Sequence, residues 1–118
     1  MSELENISPE IVTVSREGHQ VEVTLFVSGQ LDYFKGHFPQ AAILPGVVQL
    51  DWAVQFARDY FQLANMPLSR VEVLKFKAVI FPDSRITLTL VKKSEYKYSF
   101  DISSETDKHA SGRLVFNC

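Results

Sequence analysis

The segment between Pro45 and Pro67 most constrains how this chain can fold. It contains no other proline, and a proline in the first turn of a helix breaks no hydrogen bond. A helix is therefore predicted from Gly46 to Ala64, with Asn65-Met66-Pro67 as its end. Apolar residues lie around much of its circumference: Val47, Val48, Leu50, Val54, Phe56, Ala57 and Phe61. Because a helix that is apolar on most sides is usually enclosed, the rest of the chain must supply an enclosing layer.

Alternating apolar and polar residues, the pattern of half-buried strands, flank this helix on both sides. Before it, strands are predicted over residues 10–16 and 20–28, joined as a hairpin at Glu17-Gly18. After it, they are predicted over residues 70–81, 85–93, 96–103 and 109–117. Because these four strands follow one another closely, an antiparallel meander is expected. The predicted fold class is α+β: one domain over residues 1–118, with residues 1–9 loose and an antiparallel sheet wrapped around one long central helix.

Composition argues against several classes of function. The net charge is −2 and no basic run exceeds two residues, which argues against nucleic-acid binding. No segment approaches the roughly 18 uninterrupted apolar residues of a membrane-spanning helix. The acidic, polar N-terminus is the reverse of a signal peptide. The single cysteine, Cys118, permits neither an intrachain disulfide nor a thiolate zinc site. We therefore expect a cytoplasmic protein that uses no metal.

Polar residues at helical spacing form one face of the predicted helix: Asp51, Gln55, Arg58, Asp59 and Gln62. The simpler interpretation is a solvated face, whose acid near the helix start suits the helix dipole. The functional interpretation requires this face to line a cleft or a subunit interface in which Asp51 is desolvated.

His37 lies in a loop rich in glycine and proline, where a histidine is often a structural group. Its neighbours favour chemistry instead. His37 supplies a titratable base, the N–H of Gly46 at the helix start supplies an oxyanion site, and Asp51 supplies an acid. Both interpretations stay open on spacing alone.

The other candidate residues are weaker. His19 and His109 are interpreted as surface histidines, and Cys118 has no adjacent base that would make it a nucleophile. There is no glycine-rich phosphate loop and no metal-ligand spacing. Four aromatic residues of the helix are interpreted as core: Trp52, Phe56, Tyr60 and Phe61.

The stretch GHFPQAAILPGVVQLDWA carries a family resemblance. It resembles the signature of the hotdog-fold 3-hydroxyacyl-[acyl carrier protein] dehydratases, with six residues in register: His37, Phe38, Pro39, Pro45, Gly46 and Asp51. The version found here is most similar to the small dehydratases of aryl-polyene gene clusters. Ala42 departs from the family pattern by replacing a proline, and Trp52 replaces an alanine. Asp51 stands where one branch of the family has glutamate and another has aspartate.

This resemblance implies a hotdog fold and a reaction. The substrate would be a 3-hydroxyacyl thioester on the phosphopantetheine arm of an acyl carrier protein, with no other cofactor. His37 would remove the α-proton as general base, and the Gly46 amide would donate to the thioester oxygen. Asp51 of a neighbouring subunit would hold or protonate the departing hydroxyl. The resemblance assigns substrate contacts to Phe38, Pro45, Val47, Trp52 and Gln55.

The resemblance also implies partners. Hotdog domains pair with continuous sheets, so we expect a homodimer or a higher even oligomer, or an assembly with a related hotdog chain. Lys35, Lys75 and Lys77 are candidates for steering the acidic carrier protein, although they also fit as ordinary exposed lysines. Two other functions stay open at this point: a hotdog thioesterase that hydrolyses the acyl thioester, and a non-catalytic acyl-binding partner subunit.

Overall fold

The computed structural model describes residues 7–35 and 42–117. Two strands, β1 (Glu10–Glu17) and β2 (Gln20–Val27), form a hairpin, and a 3₁₀ turn follows at Asp32–Phe34. The helix α1 (Gly46–Phe61) leads into four further strands: β3 (Leu68–Phe76), β4 (Ser84–Lys92), β5 (Lys97–Ser103) and β6 (Lys108–Phe116). His37, Phe38 and Pro39 of the predicted site and residues 1–6 of the predicted loose N-terminus lie outside the described residues.

All six strands form one antiparallel sheet in the order β1-β2-β4-β5-β6-β3. The predicted α+β fold, with a sheet and one helix, is confirmed. The predicted four-strand meander is wrong, because β3 pairs with β6 at the far edge and only β4, β5 and β6 follow one another. The predicted strand over residues 70–81 starts earlier, at Leu68, and ends at Phe76.

Residues 77–83, here called the crossing segment, explain this difference. The segment leaves β6 through hydrogen bonds from Lys77 N–H to His109 O and from Ala78 N–H to Lys108 O. It reaches the end of β2 where Asp83 N–H donates to Val27 O at 2.6 Å. Three interstrand spacings of about 4.8 Å separate these points, and seven residues span that distance easily. Ile80 of the segment is buried in the core, whereas Val79 and Phe81 stay exposed, and the segment does not continue a strand.

The core lies between the inner sheet face and α1. Alternation in β2, β4, β5 and β6 buries every second residue, as predicted; the largest fully buried side chains include Tyr98, Phe100, Phe116, Leu25, Ile86, Leu88, Leu90 and Leu114. The helix buries one face, and an exposed stripe of Val47, Asp51, Gln55 and Asp59 remains. Close packing also explains Gly112, where a Cβ would lie 2.8 Å from the Phe100 ring.

Two details of the sequence interpretation need correction. The helix ends at Phe61 and not at residue 64, because Gln62 turns the chain into the left-handed region (φ 55°) and its N–H caps Arg58 O. His109 is not a surface histidine: it is 6% exposed and sits against the crossing segment. His19 is exposed, as predicted.

No helix among the described residues is long and apolar enough to cross a membrane.

Candidate active site

The start of α1 is the first part of the site. Pro45 is the N-cap in an extended conformation (φ −60°, ψ 147°), and its carbonyl accepts the N–H groups of Val48 at 3.1 Å and Gln49 at 3.2 Å. The N–H groups of Gly46 and Val47 therefore precede the first intrahelical hydrogen bonds. Such first-turn donors carry partial positive charge and suit a developing oxyanion.

Two hydrogen bonds fix the chain just before this helix. Leu44 N–H donates to Ile80 O of the crossing segment at 2.8 Å. The Gln49 side-chain amide donates to Leu44 O at 3.2 Å. Gln49 is 4% exposed, and its Oε1 finds no hydrogen-bond partner within the part of the chain that the structure describes. The hydrogen bonds at the N–H and at the carbonyl of Leu44 together fix the position and the direction of the helix start.

Phe76 packs against the helix start because of a β-bulge in β3. Glu72 pairs with Arg113 and Lys75 pairs with Ser111, so the bulged strand carries one more residue than β6 between these pairs. The extra residue reverses the alternation of faces. Phe76 therefore faces inward over Gly46, where three ring carbons lie 3.0–3.1 Å from the position of a Cβ. A side chain at position 46 would press against this ring.

A small cleft of about 200 Å³ opens beside the helix start. It is lined by Ile43, Leu44, Gly46, Gln49, Phe76, Lys77, Ala78, Val79 and His109. Most of these side chains are apolar, so a negative charge that develops in the cleft would interact with the helix start and with the ammonium group of Lys77.

The acid of the predicted constellation lies elsewhere. Asp51 is exposed and lines a second, larger cleft of about 490 Å³ between α1 and residues 7–11, with Trp52, Gln55, Phe56 and Asp59 as its helical wall. The buried Trp52 ring anchors the opposite wall, since its Nε1–H donates to Ile7 O at 3.1 Å. Three predicted site residues, Asp51, Trp52 and Gln55, therefore share one cleft.

One chain does not bring all of the predicted residues together. Gly46 and Asp51 are five residues apart, which places them about 140° apart around α1, and they line different clefts. Pro45 caps the helix, whereas Val47 is 73% exposed and lines neither cleft. His37 and Phe38 lie outside the described residues. Among the described residues, no group of three His, Cys, Asp or Glu side chains could hold a metal ion.

Comparison with known families identifies the family of this chain. The sequence model of a family described as ApeI-like, ApeI dehydratase, matches residues 13–113. The chain belongs to the ApeI-like dehydratase family. The predicted resemblance to the hotdog dehydratases is thereby confirmed, at the level of a dehydratase. No curated protein sequence matches this ApeI-like chain.

Solved structures confirm the hotdog fold. The dehydratase heterocomplex ApeI:P from Xenorhabdus doucetiae matches with a TM-score of 0.82 at 23% identity, covering 94% of this chain and 99% of that one. A protein of uncharacterised function from Erwinia carotovora subsp. atroseptica matches with a TM-score of 0.70 at 27% identity, covering 93% and 96%. The thioesterase superfamily member 2 of Mus musculus matches with a TM-score of 0.67 at 13% identity, covering 90% and 87%.

The sequence interpretation missed Tyr33, which lies beside the acid of this ApeI-like chain. Its ring meets Trp52 edge-on, with centroids 6.4 Å apart. Burial raises the pKa of Tyr33 above its ordinary value, and the negative charges of Asp51 and Asp32 raise it further. The phenol of Tyr33 therefore stays neutral beside the negative charges of Asp51 and Asp32. Periodicity could not reveal it, because Tyr33 belongs to a short 3₁₀ turn.

Apolar side chains remain exposed around the small cleft and along the edge strand β3. They are Ile43, Val47, Val73, Leu74, Phe76, Val79 and Phe81, here called the apolar rim. Exposed apolar side chains gathered at one edge favour an interaction site, and an edge strand offers unpaired backbone groups to another strand. The apolar rim surrounds the helix start directly, since Phe76 packs on Gly46.

Positive charge collects on the outer face of the sheet. Two adjoining grooves there, across β3, β5 and β6, are lined by six of the twelve Lys and Arg residues of the chain: Lys75, Lys77, Lys93, Lys97, Lys108 and Arg113. Asp101 is the single acid among their lining residues. Because the whole chain has a net charge of −2, this basic face stands out locally. It includes Lys75 and Lys77 of the sequence prediction but not Lys35, which lines neither groove and forms an ion pair with Asp32 at 2.8 Å. Within the basic face, Lys97 forms an ion pair with Glu72 at 3.3 Å.

Proposed function

We propose that this chain dehydrates 3-hydroxyacyl thioesters carried on acyl carrier protein to trans-2-enoyl thioesters. In this reaction a proton leaves the α-carbon, the bond from C3 to its hydroxyl oxygen breaks, and water departs as the double bond forms. The observation that carries the proposal is the helix start. Its first-turn N–H groups at Gly46 and Val47 precede the intrahelical hydrogen bonds, and the match to a dehydratase family spans the whole GHFP-to-Asp51 motif.

Each residue receives one role. His37 acts as the general base for the α-proton, a function typically worth about 10²–10⁴ in rate. The Gly46 N–H donates to the thioester oxygen as enolate charge builds there, and losing such a donor costs roughly 2.7–4 kcal/mol. Asp51 holds or protonates the departing hydroxyl.

The site requires two chains. Gly46 and Asp51 of one chain face different clefts, and Asp51 is exposed in a single protomer. A partner that covers the apolar rim would extend the sheet at β3 and bring its own Asp51 to the small cleft. A second copy of this chain satisfies this requirement with an isologous contact. A related hotdog chain is the alternative, because the Xenorhabdus doucetiae relative is a heterocomplex.

The carrier protein would dock on the basic face. A carrier domain that is acidic, as the family resemblance implies, complements six cationic side chains around two grooves, and such complementarity chiefly accelerates encounter. Lys75 and Lys77 flank Phe76 in sequence, so the basic face and the helix start are the two sides of the same stretch of β3. Docking there would place the carrier next to the edge at which the partner joins.

A product assay tests the function. The protein is incubated with a 3-hydroxyacyl group bound to its carrier protein, and the mass of the acyl group is measured by mass spectrometry. Loss of one water supports dehydration. Release of free acid would show a thioesterase instead, and an unchanged substrate would indicate a non-catalytic subunit. Light scattering should report about twice the 13.4 kDa chain mass, or an even multiple of it.

Charge reversal tests the docking surface. Lys75→Glu is expected to raise KM for the carrier-bound substrate several-fold and to leave turnover of a short N-acetylcysteamine thioester unchanged. Arg85→Glu is the matched control, because Arg85 is also exposed on this sheet but lines neither groove. Equal effects of the two variants, or an equal effect of Lys75→Glu on both substrates, would contradict docking at this face.

A further inference from the structure

His109 is held on both sides of its ring. Its Nδ1 lies 3.0 Å from Ala78 O and its Nε2 lies 3.0 Å from Ser104 Oγ. Because a carbonyl oxygen only accepts, Nδ1 carries the hydrogen. In the neutral ring Nε2 accepts the Ser104 hydroxyl at 3.0 Å, in preference to the longer contact of that hydroxyl with Asp107 O at 3.5 Å. A histidine that is 6% exposed and bonded at both nitrogens is fixed in orientation. With both nitrogens engaged, it is not placed to exchange protons with a substrate.

A continuous series of bonds leads from this ring to the helix start. Ala78, whose carbonyl accepts the ring N–H, lies in the crossing segment. Two residues later, Ile80 O accepts the N–H of Leu44 at 2.8 Å. Leu44 is two residues before Gly46, the residue whose amide is proposed to stabilise the oxyanion. The crossing segment therefore links the His109 ring to the position of the Gly46 N–H.

We infer that His109 is a positioning residue for the Gly46 amide, an inference that rests on the proposed function. The backbone bonds from Lys77 and Ala78 to β6 already hold the beginning of the crossing segment. The His109 ring adds a hydrogen bond to the carbonyl oxygen of Ala78, two residues before Ile80. An apolar side chain of similar size would fill the same space, but it would supply neither the donor for Ala78 nor the acceptor for Ser104. Displacing a catalytic group by about 1 Å from a distance can lower turnover 10²-fold.

Three substitutions separate positioning from simple packing. In His109→Asn the side-chain amide can replace Nδ1 and keep the bond to Ala78 O. In His109→Gln the amide reaches the place of Nε2 and loses that bond. His109→Met fills the space with neither bond. Each variant is examined by amide hydrogen exchange at Leu44, which reports opening of its bond to Ile80, and by kcat and KM.

We expect His109→Gln and His109→Met to accelerate Leu44 exchange about tenfold, the factor that corresponds to losing one hydrogen bond. They should also lower kcat about tenfold, with KM changed less than about twofold, because a misplaced oxyanion donor affects the transition state most. His109→Asn should stay within about threefold of the wild type in both measurements. The two loss variants test the same bond, so either one is sufficient if the other does not fold.

Equal acceleration of Leu44 exchange in the Asn and Met variants would overturn the inference, and so would unchanged exchange in both. The exchange measurement needs no substrate. If the wild-type protein yields no 2-enoyl product, the proposed function fails, while the exchange pattern still decides whether His109 positions the helix start.

Discussion

A mixing experiment tests the central geometric claim, that each site takes its base and its acid from different chains. The perturbations are His37→Ala and Asp51→Asn, made in separate proteins. Each homodimer then lacks the same group in both of its sites. Each variant alone is expected to lose about 10²–10⁴ of the wild-type rate, the typical contribution of one acid–base partner.

Mixed dimers should recover a calculable share of activity. If one site uses His37 of one chain and Asp51 of the other, a mixed dimer contains one site with both groups intact and one with neither. Random exchange between equal amounts makes half of the dimers mixed, so about a quarter of all sites become active. The expectation rests on the proposed function, in which His37 acts together with Gly46, and on the separate clefts that Gly46 and Asp51 of one chain line.

The assay is 2-enoyl product formation after co-refolding equal amounts of the two variants. The control replaces the Asp51→Asn protein with a chain that carries both substitutions, which can supply no intact site. Activity that rises to about a quarter of the wild-type value with the single variants, and stays at background with the double variant, supports the shared site. A mixture no more active than its better component would refute it.

Three further predictions concern the packing and charge around the site. Gly46→Ala should lower kcat, because its Cβ would press on the Phe76 ring at 3.0–3.1 Å. Adding Phe76→Leu to the same chain should restore part of the lost kcat. Purely additive effects of the two substitutions would contradict this contact. Gly112→Ala should destabilise the fold by about 1–3 kcal/mol, seen as a lower Tm, because its Cβ would lie 2.8 Å from a buried ring; an unchanged Tm would show that the ring can yield. Glu72 has a pKa below its ordinary value, chiefly through its hydrogen bond with Arg70. Its stabilising contribution is therefore present above pH 4.5 and lost on acidification. The Tm difference between the wild type and Glu72→Gln should accordingly vanish at low pH. A Tm difference that persists at low pH would have another cause.

Local patterns predicted the elements well and their arrangement less well. Alternation located five of the six strands to within about one residue, because each of these strands is bounded by a turn or, in β2, by the polar start of a loop. The sixth, β3, has no such boundary: the apolar run continues through Phe76 into Val79 and Ile80. Strand pairing is a long-range property, and adjacency in sequence favoured β4 as the neighbour of β3. The crossing segment, which overrides that preference, is recognised only by the bonds it makes.

The same limitation applies to the site. The motif predicted which residue types occur together, and helical geometry correctly placed Asp51 and Gln55 on an exposed face. The separation of Gly46 and Asp51 by about 140° around the helix follows from the spacing, but which cleft each residue lines depends on where the sheet encloses the helix. The burial of His109 was equally hidden. Its partner Ala78 is 31 residues away in sequence, and no local pattern reports such a contact.

The glycine at the helix start and the bulge in β3 depend on one another. Val73 adopts a φ of 47°, an unusual conformation for a β-branched residue, which costs on the order of 1–3 kcal/mol. Without the bulge, strict alternation from Glu72 would turn Phe76 to the outer face, and position 46 would have room for a side chain. With the bulge, Phe76 closes one side of the small cleft and only glycine fits beneath it without displacing the ring. The strained conformation of Val73 therefore belongs to the bulge that shapes the surroundings of the Gly46 amide. This is the pattern expected when a strained residue serves a site and not the stability of the sheet.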